Sequence, residues 1–319
     1  MPFPVFVVGS PRSGTSLVYS LLLASGDFAI YEAETHLIRN CSFRYGNLQI
    51  RQNAHVFLKD WFRSKQFKRS FLSEAEFLEV FRKHNGNYHQ LLYGFMKKIA
   101  EKQKKERWAE NTPDHIFDIK EIKQNIPNAK FIHIIRDGRA VAASLNKIGW
   151  VAFQNKALSL ISAGLQWRRS VLTGHTLGKE LNKCYMEIKY EDLIKFPNET
   201  LQKIGAFTQV DLDLNSISKN KVGVLSRSNT AFINESKQNT LFHPDAISRW
   251  EKILTDKERN LLEAIIGDTL KQFGYNVQSQ DTTYFRIVGY FLNSLIIWRQ
   301  TLKNYALLRR FVHSGLEFI

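Results

Sequence analysis

The chain has 319 residues, of which 44% are hydrophobic, and a formal net charge of +15. This hydrophobic fraction is sufficient for a sizeable core and too high for a disordered chain. Two cysteines, Cys41 and Cys184, argue against a disulfide scaffold and against a cysteine-based zinc site. The excess of positive charge favours anionic partners, such as a nucleotide, an acidic glycan, an anionic membrane surface or nucleic acid.

The first predicted element is a strand over about residues 3–8, which leads through a glycine-rich turn into a helix. The turn has the spacing Gly9-x4-Gly14, which matches the P-loop pattern. A helix start leaves backbone N–H groups without partners, and the helix dipole is positive there. We therefore expect the N–H groups of residues 13–16 to cradle a phosphate-like anion.

Three side chains indicate which kind of anion this turn binds. Ser16 occupies the Ser/Thr position of a P-loop, whereas Thr15 stands where the lysine is expected. Because that lysine normally reaches the β- and γ-phosphates, its absence predicts binding of a 5′-phosphate end rather than a metal-bound triphosphate. Arg12, inside the turn, supplies a planar fork that suits an oxyanion.

A short second strand is predicted at about residues 27–30, and an acidic segment follows directly. Glu32 and Glu34 are its carboxylates and His36 its imidazole, so each is a candidate general base. Residues 35–107 are rich in basic and aromatic residues and are predicted to form a helical insertion. Within it, Ser73 and Glu76 have the spacing of a capping box.

The next predicted strand, residues 130–135, ends at Arg136. Asp137 can cap the helix that follows, and that helix carries Ser144. A long helix is predicted over about residues 155–177.

A third buried strand is predicted at residues 184–189, with a further helix from about residue 197. Alternating strands and helices predict an α/β fold, a three-layer, P-loop-like parallel sheet flanked by helices. Ligands of such sheets bind beyond the carboxyl ends of the strands. Three candidate binding residues directly follow predicted strands or end them: Gly9, Arg136 and Tyr190.

The C-terminal third begins with a polar stretch at residues 219–243, predicted to be a long loop of the binding or lid type. Thr255 and Glu258 start another capped helix, which ends near Gly274. We predict one α/β domain over residues 1–278 and a helical extension over residues 279–319.

Two segments together resemble the phosphate-binding motifs of sulfotransferases that use 3′-phosphoadenosine 5′-phosphosulfate (PAPS). Residues 11–17 resemble the family's 5′-phosphosulfate loop, and residues 129–145 resemble its 3′-phosphate motif, an arginine followed by a serine eight residues later. Two weaker motifs, around Tyr190 and Arg249, are similar to segments near the nucleotide. The motifs are closest to the protein-tyrosine sulfotransferase-like and bacterial branch. The resemblance implies these nucleotide-binding residues: Arg12, Ser13, Gly14, Thr15, Ser16, Arg136, Ser144, Tyr190 and Arg249.

The resemblance also implies a catalytic glutamate at a fixed distance from the loop. An ungapped count from Pro11 gives Glu32, whereas a shift of two residues gives Glu34, and His36 is the third candidate. Arg12 belongs to the catalytic set because it cradles the group that is transferred. PAPS is the expected co-substrate, PAP (adenosine 3′,5′-bisphosphate) the product, and no metal is predicted for the transfer step.

One position departs from the family pattern. Related enzymes often have a lysine that assists the leaving group in the segment equivalent to residues 110–113, and this chain has Asn111. Lys147 or Arg139 could supply the missing charge. Otherwise the chain is a weaker catalyst, or a protein that binds PAPS, PAP or a sulfated ligand without turnover. Kinase-type NTPase activity is a third interpretation, disfavoured by Thr15.

The acceptor has no decodable motif. We expect a hydroxyl acceptor, with a carbohydrate or glycolipid favoured by the basic surface and a tyrosyl peptide or small molecule left open. No nucleic-acid partner is expected. A leader or spanning segment is not evident. Many Golgi members of the family that the chain resembles carry an N-terminal membrane anchor, so we expect either a cytoplasmic protein or one trimmed of such an anchor. The basic, aromatic tail at residues 284–318 is predicted to dock on the sheet domain, with peripheral membrane contact as the alternative.

Overall fold

The computed structural model describes residues 3–149, 155–220, 222–226 and 242–278. At its centre lies a parallel five-stranded sheet with the strand order β2-β3-β1-β4-β5. The strands are β1 (Val5–Gly9), β2 (Phe28–Ala29), β3 (Arg107–Glu110), β4 (Lys130–Ile135) and β5 (Tyr185–Lys189).

Helices precede and follow the strands along the described chain. The α-helices are α1 (Thr15–Ala24), α2 (Ser42–Tyr45), α3 (Arg51–Arg63), α4 (Lys65–Lys68), α5 (Glu74–His84), α6 (Tyr88–Lys102), α7 (Ile119–Asn125), α8 (Gly138–Lys147), α9 (Lys156–Lys179), α10 (Tyr190–Lys195), α11 (Pro197–Thr208), α12 (Leu214–Lys219), α13 (Asp245–Ile253) and α14 (Asp256–Gln272). Short helical turns of other types are Leu37–Cys41, Pro113–Phe117, Asn182–Cys184 and Gly223–Ser226.

The sheet is buried on both faces. Along β1, Val5 and Val7 belong to one hydrophobic cluster, which includes α1 and α11. Phe6 and Val8 belong to a second cluster, which includes the aromatic side chains of the helical insertion. Because successive strand residues point to opposite faces, this partition makes a three-layer α/β sandwich. The predicted fold class is thereby confirmed.

The register of the strands places the candidate residues at one edge of the sheet. Gly9 at the end of β1 lies beside Ile134 of β4, and Ile135 lies beside Lys189 of β5. The chain continues from these positions into the glycine-rich turn, Arg136 and Tyr190. Three segments that are far apart in sequence therefore meet beyond the carboxyl ends of β1, β4 and β5.

The insertion has its own aromatic core. The rings of Phe57, Trp61, Phe77 and Phe95 pack at centroid distances of 5.5 to 6.4 Å. The predicted helical character of residues 35–107 is confirmed, as is the capping box that starts α5. The second predicted capping box also forms, at the start of α14.

Two features of the sheet differ from the sequence-based expectation. Strand β3 was not predicted, because its four residues begin with a charged side chain and lack an alternating or continuous apolar pattern. Strand β5 forms as predicted but is not a buried strand. It lies at the edge of the sheet, and of its five residues Ile188 alone is buried.

Some predictions fall on residues outside those described. These are the tail at residues 279–319 and most of the 219–243 loop. Among the described residues, no helix is both long enough and apolar enough to cross a bilayer.

Candidate active site

The turn after β1 forms an open cradle at the start of α1. Gly14 precedes the helix with φ of 103° and provides no side-chain cap, so the first N–H groups of α1 have no partner within the helix. A Cβ at Gly14 would lie 2.6 Å from the Tyr190 ring, so glycine is required both by conformation and by space. The predicted cradle is corrected at one position. The N–H of Ser13 donates to the Ser10 carbonyl, which leaves residues 14–16 as the free donors.

Arg12 and Arg136 come together at this turn. Arg12 has a φ of 70°, an uncommon conformation for a non-glycine residue, of a kind that clusters at functional sites. Its Nε donates to Ser144 Oγ at 3.0 Å, and Arg136 donates to the Arg12 carbonyl at 3.2 Å. Burial, followed by the nearby Arg136 charge, lowers the pKa of Arg12. Two neighbouring guanidiniums make a site that an anion would stabilise.

Arg136 is held by several elements at once. Its guanidinium lies 4.2 Å from the centre of the Tyr190 ring, and it donates to the Ala246 carbonyl of α13 at 2.7 Å. Trp167 fixes its backbone by donating to the Arg136 carbonyl at 2.9 Å. The arrangement orients a planar fork toward the glycine-rich turn, which is the geometry that phosphate recognition uses.

The cluster contains polar atoms that the protein does not satisfy. Among the described residues, Ser13 Oγ, Asn111 Oδ1 and Arg136 Nε are buried and have no hydrogen-bond partner. Buried polar groups in native proteins are nearly always paired, so each exception needs an explanation. A bound anion with many oxygen atoms would satisfy the donors among these groups.

Two predicted charges have other partners. Arg139 was one candidate for the charge missing at Asn111, and this prediction is wrong. Its guanidinium is buried and pairs with Asp137 and Glu263 at 2.7 and 2.5 Å. Arg249 pairs with Asp245 one turn earlier in α13. Its helix meets the cluster through Ala246, and nucleotide binding by Arg249 stays a prediction, as does charge supply by the exposed Lys147.

The acidic segment lies beyond the carboxyl end of β2 and is fixed from several sides. Tyr19 of α1 donates to the Tyr31 carbonyl at 2.6 Å, and Arg69 donates to the Glu32 carbonyl. The carboxylate of Glu32 accepts the N–H of Gly223 at 2.9 Å. Segment 222–226 also contacts α1, because Val224 donates to Ser20 Oγ. Glu32 is therefore a half-buried carboxylate in a rigid frame.

Glu34 and His36 form a pair with opposite pKa shifts. Glu34 Oε2 and His36 Nε2 are 3.3 Å apart. Burial, then the nearby carboxyls of Glu110 and Asp114, raises the pKa of Glu34 to about 7. Burial, then the nearby His115, lowers the pKa of His36 to about 4. The pair therefore favours a neutral imidazole, and the carboxyl titrates near neutral pH, where a general base works best.

Below the acidic segment lies a buried ion pair that the sequence analysis missed. Glu110 and His115 have no exposed side-chain area, and their Oε2 and Nδ1 atoms are 2.9 Å apart. Burial alone would raise the pKa of Glu110, but His115 and hydrogen bonds from Thr112 and Thr35 lower it. Burial would lower the pKa of His115, but the Glu110 charge raises it. Each group therefore shifts the pKa of the other toward its charged form.

Comparisons with known proteins identify the family of the chain. Residues 4–213 match the family model described as "Sulfotransferase family". The chain belongs to the sulfotransferase family. PAPS is the sulfuryl donor of this family.

Three relatives illustrate the similarity. Protein-tyrosine sulfotransferase 1 of Danio rerio is 23% identical over 296 residues, covering 88% of this chain and 75% of the relative. The sulfotransferase domain of the Synechococcus PCC 7002 olefin synthase superposes with a TM-score of 0.59 at 19% identity, covering 87% of this chain and 96% of that one. The sulfotransferase domain of the curacin biosynthetic pathway gives a TM-score of 0.56 at 18% identity, covering 87% and 99%. These two structures share the fold of this sulfotransferase.

Asn111 marks where this sulfotransferase differs from the expected pattern. Its Nδ2 atom lies 3.5 Å from Ser16 Oγ, so the amide reaches the first turn of α1. The side chain thus lies beside the glycine-rich turn after β1, which we call the donor loop, but carries no charge. In the described part of the chain, no group of three or more His, Cys, Asp or Glu side chains is placed to share a metal ion.

Proposed function

We propose that this sulfotransferase transfers a sulfuryl group from PAPS to a hydroxyl acceptor, with the donor held at the turn after β1. The observation that carries the proposal is the set of unpaired buried atoms around that turn, together with the free start of α1. The N–H groups of residues 14–16 would bind the 5′-phosphosulfate end. Arg136 and Ser144 would bind the 3′-phosphate, and Tyr190 would pack near the nucleotide.

The transfer itself needs a base and a stabilised leaving group. The acceptor oxygen attacks the sulfur atom while Glu32 removes the hydroxyl proton, and the S–O bond to the 5′-phosphate breaks to release PAP. Arg12 and the helix start stabilise the charge that develops on the bridging oxygen. As in phosphoryl transfer, positioning and electrostatics account for most of the rate.

Glu32 is our choice of base because its carboxylate is both accessible and oriented. It is half-buried, its backbone is held by Arg69, and its carboxylate accepts one N–H from Gly223. Glu34 is the alternative, since its pKa of about 7 also suits a base. Glu34 contacts His36, so proton removal by Glu34 would first disturb that pair.

The acceptor is proposed to be a carbohydrate or a glycolipid, on the evidence of the net charge of +15. The test is transfer of radiolabelled sulfate from PAPS to four acceptor sets: glycans, glycolipids, tyrosyl peptides and small phenols. Label on the first or second set is the expected result. Label on tyrosyl peptides or phenols would keep the activity and overturn the acceptor class.

A second candidate function is binding of PAPS, PAP or a sulfated ligand without turnover, which Asn111 favours because the position lacks a cation. The same assay separates the two functions when PAP binding is measured by calorimetry in parallel. Binding of PAP with no label on any acceptor would support the binding protein. Absence of both PAP binding and transfer would contradict the transferase and a PAPS- or PAP-binding protein alike.

A further inference from the structure

Glu110 occupies an unusual position for a carboxylate. It ends β3, has no exposed area, and its carboxylate accepts hydrogen bonds from three residues. Thr35 Oγ1 donates at 2.8 Å, the N–H of Thr112 at 3.0 Å, and the hydroxyl of Thr112 at 2.5 Å. The third partner, His115, pairs at 2.9 Å. The charge is therefore fully compensated inside the protein.

A buried ion pair of this kind is weak evidence for stability. Removing two charges from water costs several kcal/mol per ion, and apolar replacements of similar volume are often no less stable. A role in fixing one particular arrangement explains its presence better. The arrangement that Glu110 fixes is visible in the structure: it joins the end of β3 to Thr35, in the acidic segment after β2.

Thr35 is the point where the acidic segment is tied down on its C-terminal side. Its N–H donates to Thr112 Oγ1 at 3.0 Å, and its hydroxyl donates to Glu110. On the other side, Tyr31 and the Glu32 carbonyl are held by α1 and by Arg69. The backbone between these ties carries Glu32 and Glu34, the two candidate carboxylate bases.

Residues 110–112 also reach the turn after β1, where we propose that PAPS binds. Asn111, next to Glu110, lies 3.5 Å from Ser16 in the first turn of α1. Glu110 and Thr112 therefore contact the acidic segment, whereas Asn111 between them contacts the start of α1 at the donor loop. A displacement of either partner would be transmitted to the other through this strand end.

We propose that Glu110, oriented by His115, is a positioning residue for the general base of this sulfotransferase. Acting through Thr35, it sets the distance between the acidic segment and the donor loop. The inference rests on the proposed function, because it presumes that the acidic segment supplies the base. Misplacement of a catalytic group by about 1 Å can reduce a rate by about 100-fold.

The test compares Thr35→Val with Thr35→Ser in the full-length chain. Valine keeps the shape and the backbone N–H, which reaches Glu110 Oε1 at 3.4 Å, but it lacks the hydroxyl that donates to the same oxygen at 2.8 Å, whereas serine retains that hydroxyl. We expect Thr35→Val to lower kcat by about 10- to 100-fold and to leave the KM for PAPS and the Kd for PAP within about twofold, and Thr35→Ser to restore most of kcat. All measurements are made well below the lowest melting temperature, which is recorded for each variant.

Several results would overturn the proposal. One is wild-type kcat in a folded Thr35→Val. Another is an equal loss of kcat and of PAP affinity, which would indicate general structural damage. If Thr35→Val does not fold, Glu110→Gln replaces it under the same criteria, because glutamine keeps the size of the side chain.

A structural readout keeps this inference separate from the proposed function. Crystal structures of wild type and Thr35→Val, each with PAP, are compared after superposition on the sheet. A shift of residues 32–36 relative to the donor loop supports positioning even if no acceptor is found, and an unmoved segment contradicts it. Absence of transfer by the wild-type chain contradicts the proposed function alone.

Discussion

Two sides of this site are built in opposite ways. The donor side, where we propose that PAPS binds, consists of the turn after β1, the start of α1 and Arg136. The acidic side consists of residues 31–36 with Glu110 and His115 beneath them. On the donor side, Arg12 and Arg136 lie near each other and the first N–H groups of α1 are free. On the acidic side, Glu110 and His115 neutralise each other without any exposure. One side offers uncompensated donors, and the other has its charges compensated internally.

This difference indicates which side changes on binding. An anion that reaches the donor side gains hydrogen bonds that the protein lacks, so binding energy is concentrated there. On the acidic side the Glu110 carboxylate already has its hydrogen bonds, so this side contributes a fixed geometry rather than affinity. Substitutions on the two sides should therefore separate affinity for the nucleotide from the rate of transfer.

The largest effect is expected for Glu32→Gln. Loss of a general base typically lowers a rate by a factor of about 10² to 10⁴, and we expect kcat to decrease by a factor in that range. The Kd for PAP, measured by calorimetry, should stay within about twofold because the donor side is unchanged. Glu34→Gln is the matched control and should retain most of the activity. A larger loss in Glu34→Gln than in Glu32→Gln would move the base to Glu34.

The next largest effect is expected for Arg136→Ala. Hydrogen bonds to charged groups contribute about 1.5–3 kcal/mol, so the Kd for PAP should rise by about 10- to 100-fold. Arg51→Ala, at an exposed position at the start of α3, removes the same charge elsewhere and is the control. Equal affinities of the two variants would show that Arg136 does not bind the nucleotide.

A smaller effect is expected for Asn111→Lys, which places a cation beside the first turn of α1. Charge at a developing oxyanion accelerates transfer, and we expect kcat to rise by about tenfold. Asn111→Gln lengthens the side chain without adding charge and should not raise kcat. A kcat of Asn111→Lys no higher than that of Asn111→Gln would show that this position does not assist the leaving group.

The smallest effect concerns stability and pH at Glu34. Its pKa is raised from 4.5 to about 7 in the folded protein, mainly by burial. The folded state therefore binds this proton more tightly, and the resulting stability is present below about pH 4.5 and lost as the pH rises through about 7. Because the carboxyl is one-third exposed, solvent screens part of this effect. We expect the free energy of unfolding of Glu34→Gln to be only about 1 kcal/mol higher than that of wild type at pH 8.5.

Chemical denaturation at pH 5 and pH 8.5 checks this expectation. Glu106→Gln, at an exposed position before β3, serves as the control and should not change the pH dependence. A free energy of unfolding for Glu34→Gln that tracks wild type at both pH values would contradict a raised pKa at Glu34.

The donor side could be predicted from sequence because its signals are local. The glycine spacing after β1, and the arginine and serine around α8, each lie within one short segment, and the parallel sheet brings the segments together. The acidic side could not be predicted in the same way. Thr35 and Glu110 are 75 positions apart, and no local pattern links them.

The error at Arg139 has the same origin. Its sequence neighbourhood suggested a cation available to the active site, but Glu263 of α14, 124 positions away, pairs with it. Strand β3 was missed because four residues with a charged start carry little periodicity. The missed strand β3, which ends at Glu110, and the long-range partners of charged side chains both limited the prediction of this site.

The most direct test of the account is a crystal structure of the chain with PAP. We predict that the 5′-phosphate accepts hydrogen bonds from the N–H groups of residues 14–16 and that the 3′-phosphate contacts Arg136 and Ser144. A nucleotide bound elsewhere, or one whose two phosphates do not reach these two sets of donors, would contradict the central claim.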